Sequence, residues 1–179
     1  MAQYKYATKM ENEDSIARAV GRDVEISKKQ AIEVCNFIKG MNVDDAKKIL
    51  QDVINKKKAV KFRRFTGGAA HRKGIGAGKY PIKCCIEILR LLNQVAANAS
   101  FKGLNPSNMI IKALCPQTGA KRWHYGRQRR RRMKRANLEI VIQESEEKKT
   151  SKKQKDSEGK KAAEKNITKK KEAKEEMKK

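Results

Sequence analysis

The chain has 179 residues and a formal net charge of +25, from 45 Lys and Arg against 20 Asp and Glu. Its length allows one ordinary domain with a real core. A soluble enzyme has no use for so much charge of one sign, which opposes compaction when unpaired, so the balance points to a polyanionic partner and away from catalysis. The excess is not a tail effect. Residues 144–179 hold 14 Lys and nine acids, net +5, whereas residues 1–143 hold 31 Lys and Arg against 11 acids, net +20. The folded part is itself basic, as a nucleic-acid scaffold would be.

Residues 1–15 are polar and read as a flexible N-terminal segment. They lack the apolar core of a signal peptide. A short extended piece follows, with Val20, Val24 and Ile26 interrupted by Gly21. Ser27 with Gln30 has the spacing of a capping box, which predicts a helix with Ala31, Ile32, Val34, Cys35 and Ile38 on its apolar face and a stop at Gly40. A second helix is expected from Asp44 and Asp45, whose charge suits a helix N-terminus, with Ala46, Ile49, Leu50, Val53 and Ile54 as its buried stripe.

Residues 59–80 form a basic loop with five Gly, no acid and five Lys or Arg from Arg63 onward. Gly allows close backbone approach to a partner and the cations supply attraction. Gly74-Ile75-Gly76-Ala77-Gly78-Lys79 is not a P-loop, because Tyr80 follows Lys79 and the required spacing is missing. Pro81 opens a third helix. Its broad apolar face runs through Ile82, Cys85, Ile86, Ile88, Leu89, Leu92, Val95, Ala96 and Ala99, so this helix should be the centre of the core. Gly103 ends it.

Two apolar strands come next, Met109–Leu114 and Leu138–Ile142, separated by a cationic excursion. Nine of the fifteen residues from Lys121 to Arg135 are Lys or Arg, none is acidic, and Trp123, His124 and Tyr125 are interleaved. The pattern predicts a β-hairpin whose base packs on the core and whose arm, at 116–136, projects into RNA. Aromatics stack on unpaired bases, and Arg planes stack and fork onto phosphates. An import signal in Arg129 to Arg132 is an alternative or second use, although an import signal alone needs no aromatics. In water the arm should repel itself, so it is expected to be disordered until RNA orders it. Residues 144–179 are Lys/Glu-rich, bury almost nothing, and read as a disordered tail.

Cys35, Cys84, Cys85 and Cys115 lack zinc-knuckle spacing and read as reduced, small core or near-core residues, so neither metal nor cofactor is expected. The two His, His71 and His124, each lie in a cationic segment, and no nucleophile–base arrangement can be drawn around them. No apolar run approaches the ~20 residues of a membrane span. The rival reading from the same residues is a histone-like or messenger-RNA-binding module acting alone.

The order of elements, with Gly21-Arg22-Asp23-Val24-Glu25-Ile26-Ser27, Phe62-Arg63-Arg64-Phe65-Thr66-Gly67-Gly68, Gly78-Lys79-Tyr80-Pro81, Asn98–Leu104 and Tyr125-Gly126-Arg127, resembles the universal large-subunit ribosomal protein family L twenty-two, called L seventeen in eukaryotes. The resemblance covers about residues 16–143, and the basic Gly loop makes it similar to the archaeal and eukaryotic branch. It implies an α+β fold of three helices packed on a small three-stranded antiparallel sheet, with a long basic hairpin. It implies a ribosomal-RNA-binding domain at 16–143 and a non-enzymatic role in the large ribosomal subunit, supporting assembly. The hairpin would run along the nascent-peptide exit tunnel. The implied partners are large-subunit ribosomal RNA, neighbouring ribosomal proteins and the nascent peptide, with no membrane and no homo-oligomer. The implied location is the cytosolic ribosome, with nuclear and nucleolar transit in a eukaryote. Compared with typical eukaryotic members, the segment after Tyr125-Gly126-Arg127 is shorter and Arg-richer.

By position, the expected RNA contacts in the loop are Arg63, Arg64, His71, Arg72, Lys73 and Lys79. In the arm they are Lys121, Arg122, Trp123, His124, Tyr125 and Arg127, then Arg129, Arg130, Arg131, Arg132, Lys134 and Arg135. The expected tunnel-facing tip is Arg127, Gln128 and Arg129 to Arg132.

Overall fold

The third helix is the element on which the others pack, because its apolar stripe is both the longest and the most regular in the chain. A computed structural model describes residues 4–8 and 14–144, so the expected disorder of the tail lies outside the described residues. In chain order the elements are β1 (Ile16–Val24), α1 (Lys28–Ile38), α2 (Val43–Ile54), β2 (Val60–Lys61), β3 (Ala70–Arg72), β4 (Gly76–Lys79), α3 (Ile82–Phe101), β5 (Met109–Thr118) and β6 (Ala136–Glu144). Two antiparallel three-stranded sheets result, ordered β1-β6-β5 and β2-β4-β3. The fold is the expected α+β arrangement of three helices on a small antiparallel sheet. The second sheet is an addition, since the Gly-rich stretch pairs with itself instead of remaining an open loop.

Burial follows period. On α3, Cys85, Ile88, Leu92, Val95 and Ala99 recur at three and four residues and are fully buried. On β6, Leu138, Ile140 and Ile142 alternate toward the same core. Ile86, expected on the apolar face, is 44% exposed, whereas Cys84 is 1% exposed. The stripe through 84, 88, 91 and 95 rotates the core-facing side one residue away from Ile86. Gly21 of β1 lets this helix approach: a Cβ there would stand 2.7 Å from Cδ1 of Leu91.

Both free edges of the larger sheet are covered, which an edge strand needs to avoid pairing with other chains. Along β1, Asn98 Nδ2 donates to the Arg18 carbonyl at 2.9 Å and Lys102 Nζ to the Ile16 carbonyl at 2.9 Å. Along β5, the turn between α1 and α2 plugs the edge through Gly40 N–H to the Ile111 carbonyl and Ile111 N–H to the Met41 carbonyl, both 2.9 Å. Pro116 lies in β5, an edge strand, where a missing donor is tolerated.

The outer face of this sheet carries a buried carboxylate. Glu139, 2% exposed, accepts from Tyr4 Oη at 2.6 Å, from Ala7 N–H at 2.9 Å and from Gln117 Nε2 at 2.9 Å. The bond to Glu139, with burial second, pushes the Tyr4 phenol up to about 12, so it remains a donor near neutrality. Arg22 stacks over Tyr4 at 4.9 Å and Arg18 over Tyr6 at 5.4 Å. The described part of the N-terminal segment, expected to be loose, therefore lies against the sheet, held by a carboxylate that pattern alone assigned to a strand.

All four cysteines are free thiols, and Cys35, Cys84 and Cys85 are buried. Burial pushes Cys35 and Cys85 up to about 12 and raises Cys84 as well, so these thiols stay protonated. Ser27 is the N-cap of α1, but its side chain makes no capping bond, so the expected capping box is not closed.

Because Leu92 is fully buried at the centre of α3, Leu92→Ala should cost about 3 kcal/mol. Urea denaturation of the purified chain measures this, and a loss under 1 kcal/mol, roughly the level of a surface change, would show that the core is not centred there.

Candidate nucleic-acid interface

Two cationic segments project from the body, and each is fixed at its base by a carboxylate. The first is the Gly-rich stretch. β4 pairs with β2 through Val60↔Lys79 and Lys61↔Gly78, and with β3 through Ala70↔Gly78, His71↔Ala77 and Arg72↔Gly76. Its approach is set by Glu33 of α1. That carboxylate accepts three consecutive backbone donors, from Arg63 at 3.1 Å, Arg64 at 2.8 Å and Phe65 at 2.9 Å. Arg63 and Arg64 are thereby turned outward and exposed. Lys29 and Arg64 both stack on the Phe65 ring, at 5.6 and 5.5 Å.

His71, Arg72 and Lys73 are exposed along β3 and the turn after it. Arg72 lies over Tyr80 at 5.2 Å. Lys79 is half-buried; its ammonium bonds the Gly67 carbonyl at 3.0 Å and lies 5.6 Å from the Phe62 ring. It therefore straps the loop as well as adding charge.

The second segment is the arm beyond β5 and β6. The ladder runs to Thr118↔Ala136 and continues irregularly. Gly119 N–H bonds the Arg135 carbonyl at 3.1 Å, Met133 N–H the Arg122 carbonyl at 2.7 Å, and His124 N–H the Arg131 carbonyl at 2.9 Å. Trp123 and Arg132 form a bridge across the arm, with the guanidinium 4.3 Å over the indole. A 3-10 turn at Gly126–Gln128 reverses the chain. The arm expected to be disordered alone is thus paired. Two features oppose the repulsion: aromatic faces that take up cations, and a root held from outside the arm.

That root is a cluster around Asp23, which is in the left-handed region at φ 49° at the β1 bulge. Its N–H donates to Asn137 Oδ1 at 2.8 Å, and its Oδ1 accepts from Ala120 N–H at 2.9 Å. Arg135 reaches back with Nη1 on the Asp23 carbonyl at 2.8 Å and Nη2 on Glu25 Oε1 at 2.7 Å. Gly119 is required there, because a Cβ would stand 2.7 Å from Asp23 Oδ1.

Beyond the root, Lys121, Arg122, Trp123, Tyr125, Arg127, Gln128, Arg129, Arg130, Arg131, Arg132 and Lys134 are all exposed, and His124 is half-buried. Tyr125 at 87% exposure is the most open aromatic of the arm, whereas Trp123 at 55% is partly covered. The loop and arm contacts do not merge into one pocket. They are two separate cationic projections, suited to polyanion contact and not to enclosing a small substrate. Among the described residues no cluster of His, Cys, Asp and Glu could hold a metal, and no helix is long and apolar enough to cross a membrane. Sequence reasoning missed Asp23, Glu25, Glu33 and Glu139. Glu33 and Glu139 could have been flagged as acids inside apolar runs of a chain poor in acids.

Burial acts to raise the Glu33 carboxyl, but the three backbone donors together outweigh it and hold the group below its ordinary 4.5. The folded form thus binds protons more weakly than the unfolded one. Its stabilisation is complete above 4.5 and is lost as pH falls through the lower folded value. Glu33→Gln should lower stability at neutral pH by about 2 kcal/mol and flatten the acid limb of a stability-versus-pH curve. An acid limb identical to the parent's would rule Glu33 out as the titrating group. In a second check, Gly119→Ala should speed amide hydrogen exchange at Ala120, His124 and Met133 while leaving α3 protected; unchanged exchange in the arm would mean that the root does not hold it.

A model of the family described as "Ribosomal protein L22p/L17e" matches residues 19–143. Among curated relatives, "Large ribosomal subunit protein uL22" of Methanococcoides burtonii is 40% identical over 152 residues, covering 80% of this chain and 99% of that protein. The protein of the same name from Picrophilus torridus is 42% identical over 141 residues, 73% of this chain and 91% of its own length. That of Archaeoglobus fulgidus is 39% identical over 122 residues, 66% and 79% respectively. These relatives are archaeal, and the match takes in both cationic projections and the core between them. The chain belongs to the ribosomal protein L22p/L17e family, on its archaeal branch.

Proposed function

We propose that this chain is a structural, non-enzymatic constituent of the large ribosomal subunit that binds large-subunit ribosomal RNA and supports its assembly. The observation that carries the proposal is the arm: nine cations, no acid, and a root pinned through Asp23 and Arg135 so that the charge is presented at a set position. A general polyanion binder would not need such placement. The loop cations Arg63, Arg64, His71, Arg72 and Lys73 form the second contact. Arg and Lys fix position on phosphates, and Trp123, His124 and Tyr125 select unstacked bases.

On this reading the hairpin extends along the wall of the nascent-peptide exit tunnel. Its tip, Arg127 to Arg132, meets the nascent peptide, and the body lies near the tunnel exit among neighbouring ribosomal proteins. The chain acts in the cytoplasmic ribosome without forming a homo-oligomer. In a eukaryotic cell, assembly would route it through the nucleus and nucleolus.

A tagged copy should co-sediment with the large subunit in a sucrose gradient after a high-salt wash. Replacing Arg129, Arg130, Arg131 and Arg132 by Ala should weaken binding to a large-subunit ribosomal RNA transcript and lower the salt slope of log K by about 3 to 4. Release of the parent chain into the light fractions would favour the stand-alone nucleic-acid binder.

A further inference from the structure

A cleft of about 500 Å³ lies where the arm's root meets the first turns of α1 and α3. Its floor is apolar: Ile26 is 3% exposed, Cys84 1%, and Met133 half-buried. Its rim is cationic, with Lys83 from α3 on the body side and Arg132, Lys134 and Arg135 on the arm side. Glu25 is the one carboxylate among the described lining residues, and both its oxygens are engaged, by Arg135 Nη2 at 2.7 Å and Lys83 Nζ at 3.5 Å. The cleft therefore keeps a net positive rim around a low-polarity floor.

Its size falls in the range of small-molecule sites, about 300 to 1,000 Å³. An apolar floor suits the flat face of a base, and the cations suit a phosphodiester. Ser27, whose hydroxyl makes no capping bond, and Gln30 add donors and acceptors of the kind that read a base edge or a 2′-hydroxyl.

We propose that this cleft receives one unstacked nucleotide of the RNA, its base over Ile26 and Met133 and its phosphodiester between Lys83 and Lys134. The inference rests on the RNA-binding reading above and adds body residues Ser27, Gln30 and Lys83 to it. Such a nucleotide touches the arm and the body at once, so its binding fixes the angle at which the arm leaves the sheet.

The test begins with large subunits carrying the tagged chain, irradiated with ultraviolet light and digested. Nucleotide adducts are expected on the peptides containing Cys84 or Met133. The purified full chain is then titrated with a transcript of the large-subunit ribosomal RNA. Lys83→Ala should weaken binding several-fold and lower the salt slope by about one. Its urea midpoint should hold, because the Lys83–Glu25 pair is more than half exposed. Gln30→Trp, which fills the cleft without changing charge, should also weaken binding. If the chain stays on the subunit, no adduct maps to the cleft and both variants bind like the parent, the cleft proposal falls and the RNA reading stands. A parent chain that binds neither transcript nor subunit overturns the RNA reading itself. Saturable binding of free AMP that the transcript does not displace would overturn the proposal in favour of a small-molecule site.

Discussion

The cationic projections of this chain are tethered to the body by carboxylates at their bases, and the arrangement of everything outward depends on those tethers. Residues 59–80 and 119–135 contain no acid, so neither segment can neutralise itself. Left to their own charge, both would extend and fluctuate. Glu33 fixes the backbone at Arg63 to Phe65, while Asp23 and Glu25 fix the arm through Ala120 and Arg135. Each tether acts on backbone or on one inner cation, so the outer cations remain available. Charge-assisted bonds of this kind are about twice as strong as neutral ones, and the buried Glu33 is screened least by salt. The body thus resists the conditions that weaken the outer contacts.

The core beneath the tethers is what makes their positions fixed. Asp23 lies at the bulge that ends β1, and β1 is held to α3 by the close approach at Gly21 and by Asn98 and Lys102 along its edge. Glu33 shares α1 with Ala31, Val34, Cys35 and Ile38, all locked in the core. A change in α3 packing would therefore move the origin of the arm without touching any of its exposed cations. In the same way, Glu139 joins the outer face of β6 to Tyr4 and Ala7, so the N-terminal residues brace the strand from which the arm returns.

Much of this was legible in the residues. Periods of three and four placed α1, α2 and α3, a short apolar run placed β6, and the run from Lys121 to Arg135 marked the arm. What period could not show was pairing at a distance. The strands at Val60, Ala70 and Gly76 are two to four residues long, too short for an alternating pattern to register, and the last is half Gly. The tether acids were invisible because their partners are backbone donors 30 residues away for Glu33 and 97 for Asp23. The Ser27–Gln30 spacing misled for the opposite reason: the local motif was present and Ser27 is the N-cap, but its side chain makes no capping bond.

The paired state of the arm bears on how it would bind. A disordered arm gives up conformational entropy when RNA orders it, roughly 1 to 2 kcal/mol per residue in backbone terms. Here cross-arm bonds at Arg122–Met133 and His124–Arg131, with Arg132 on Trp123, already restrict the inner half. Beyond His124–Arg131, the turn from Tyr125 to Arg130 shows no such cross-arm bond among the described residues. Ordering cost is then confined to the tip, and the root delivers that tip from a set direction. Trp123 gives one face of its indole to Arg132, which stiffens the arm, and keeps only the other for a base. Tyr125, the more exposed ring, is the aromatic of the arm able to meet a base with no cation already on it.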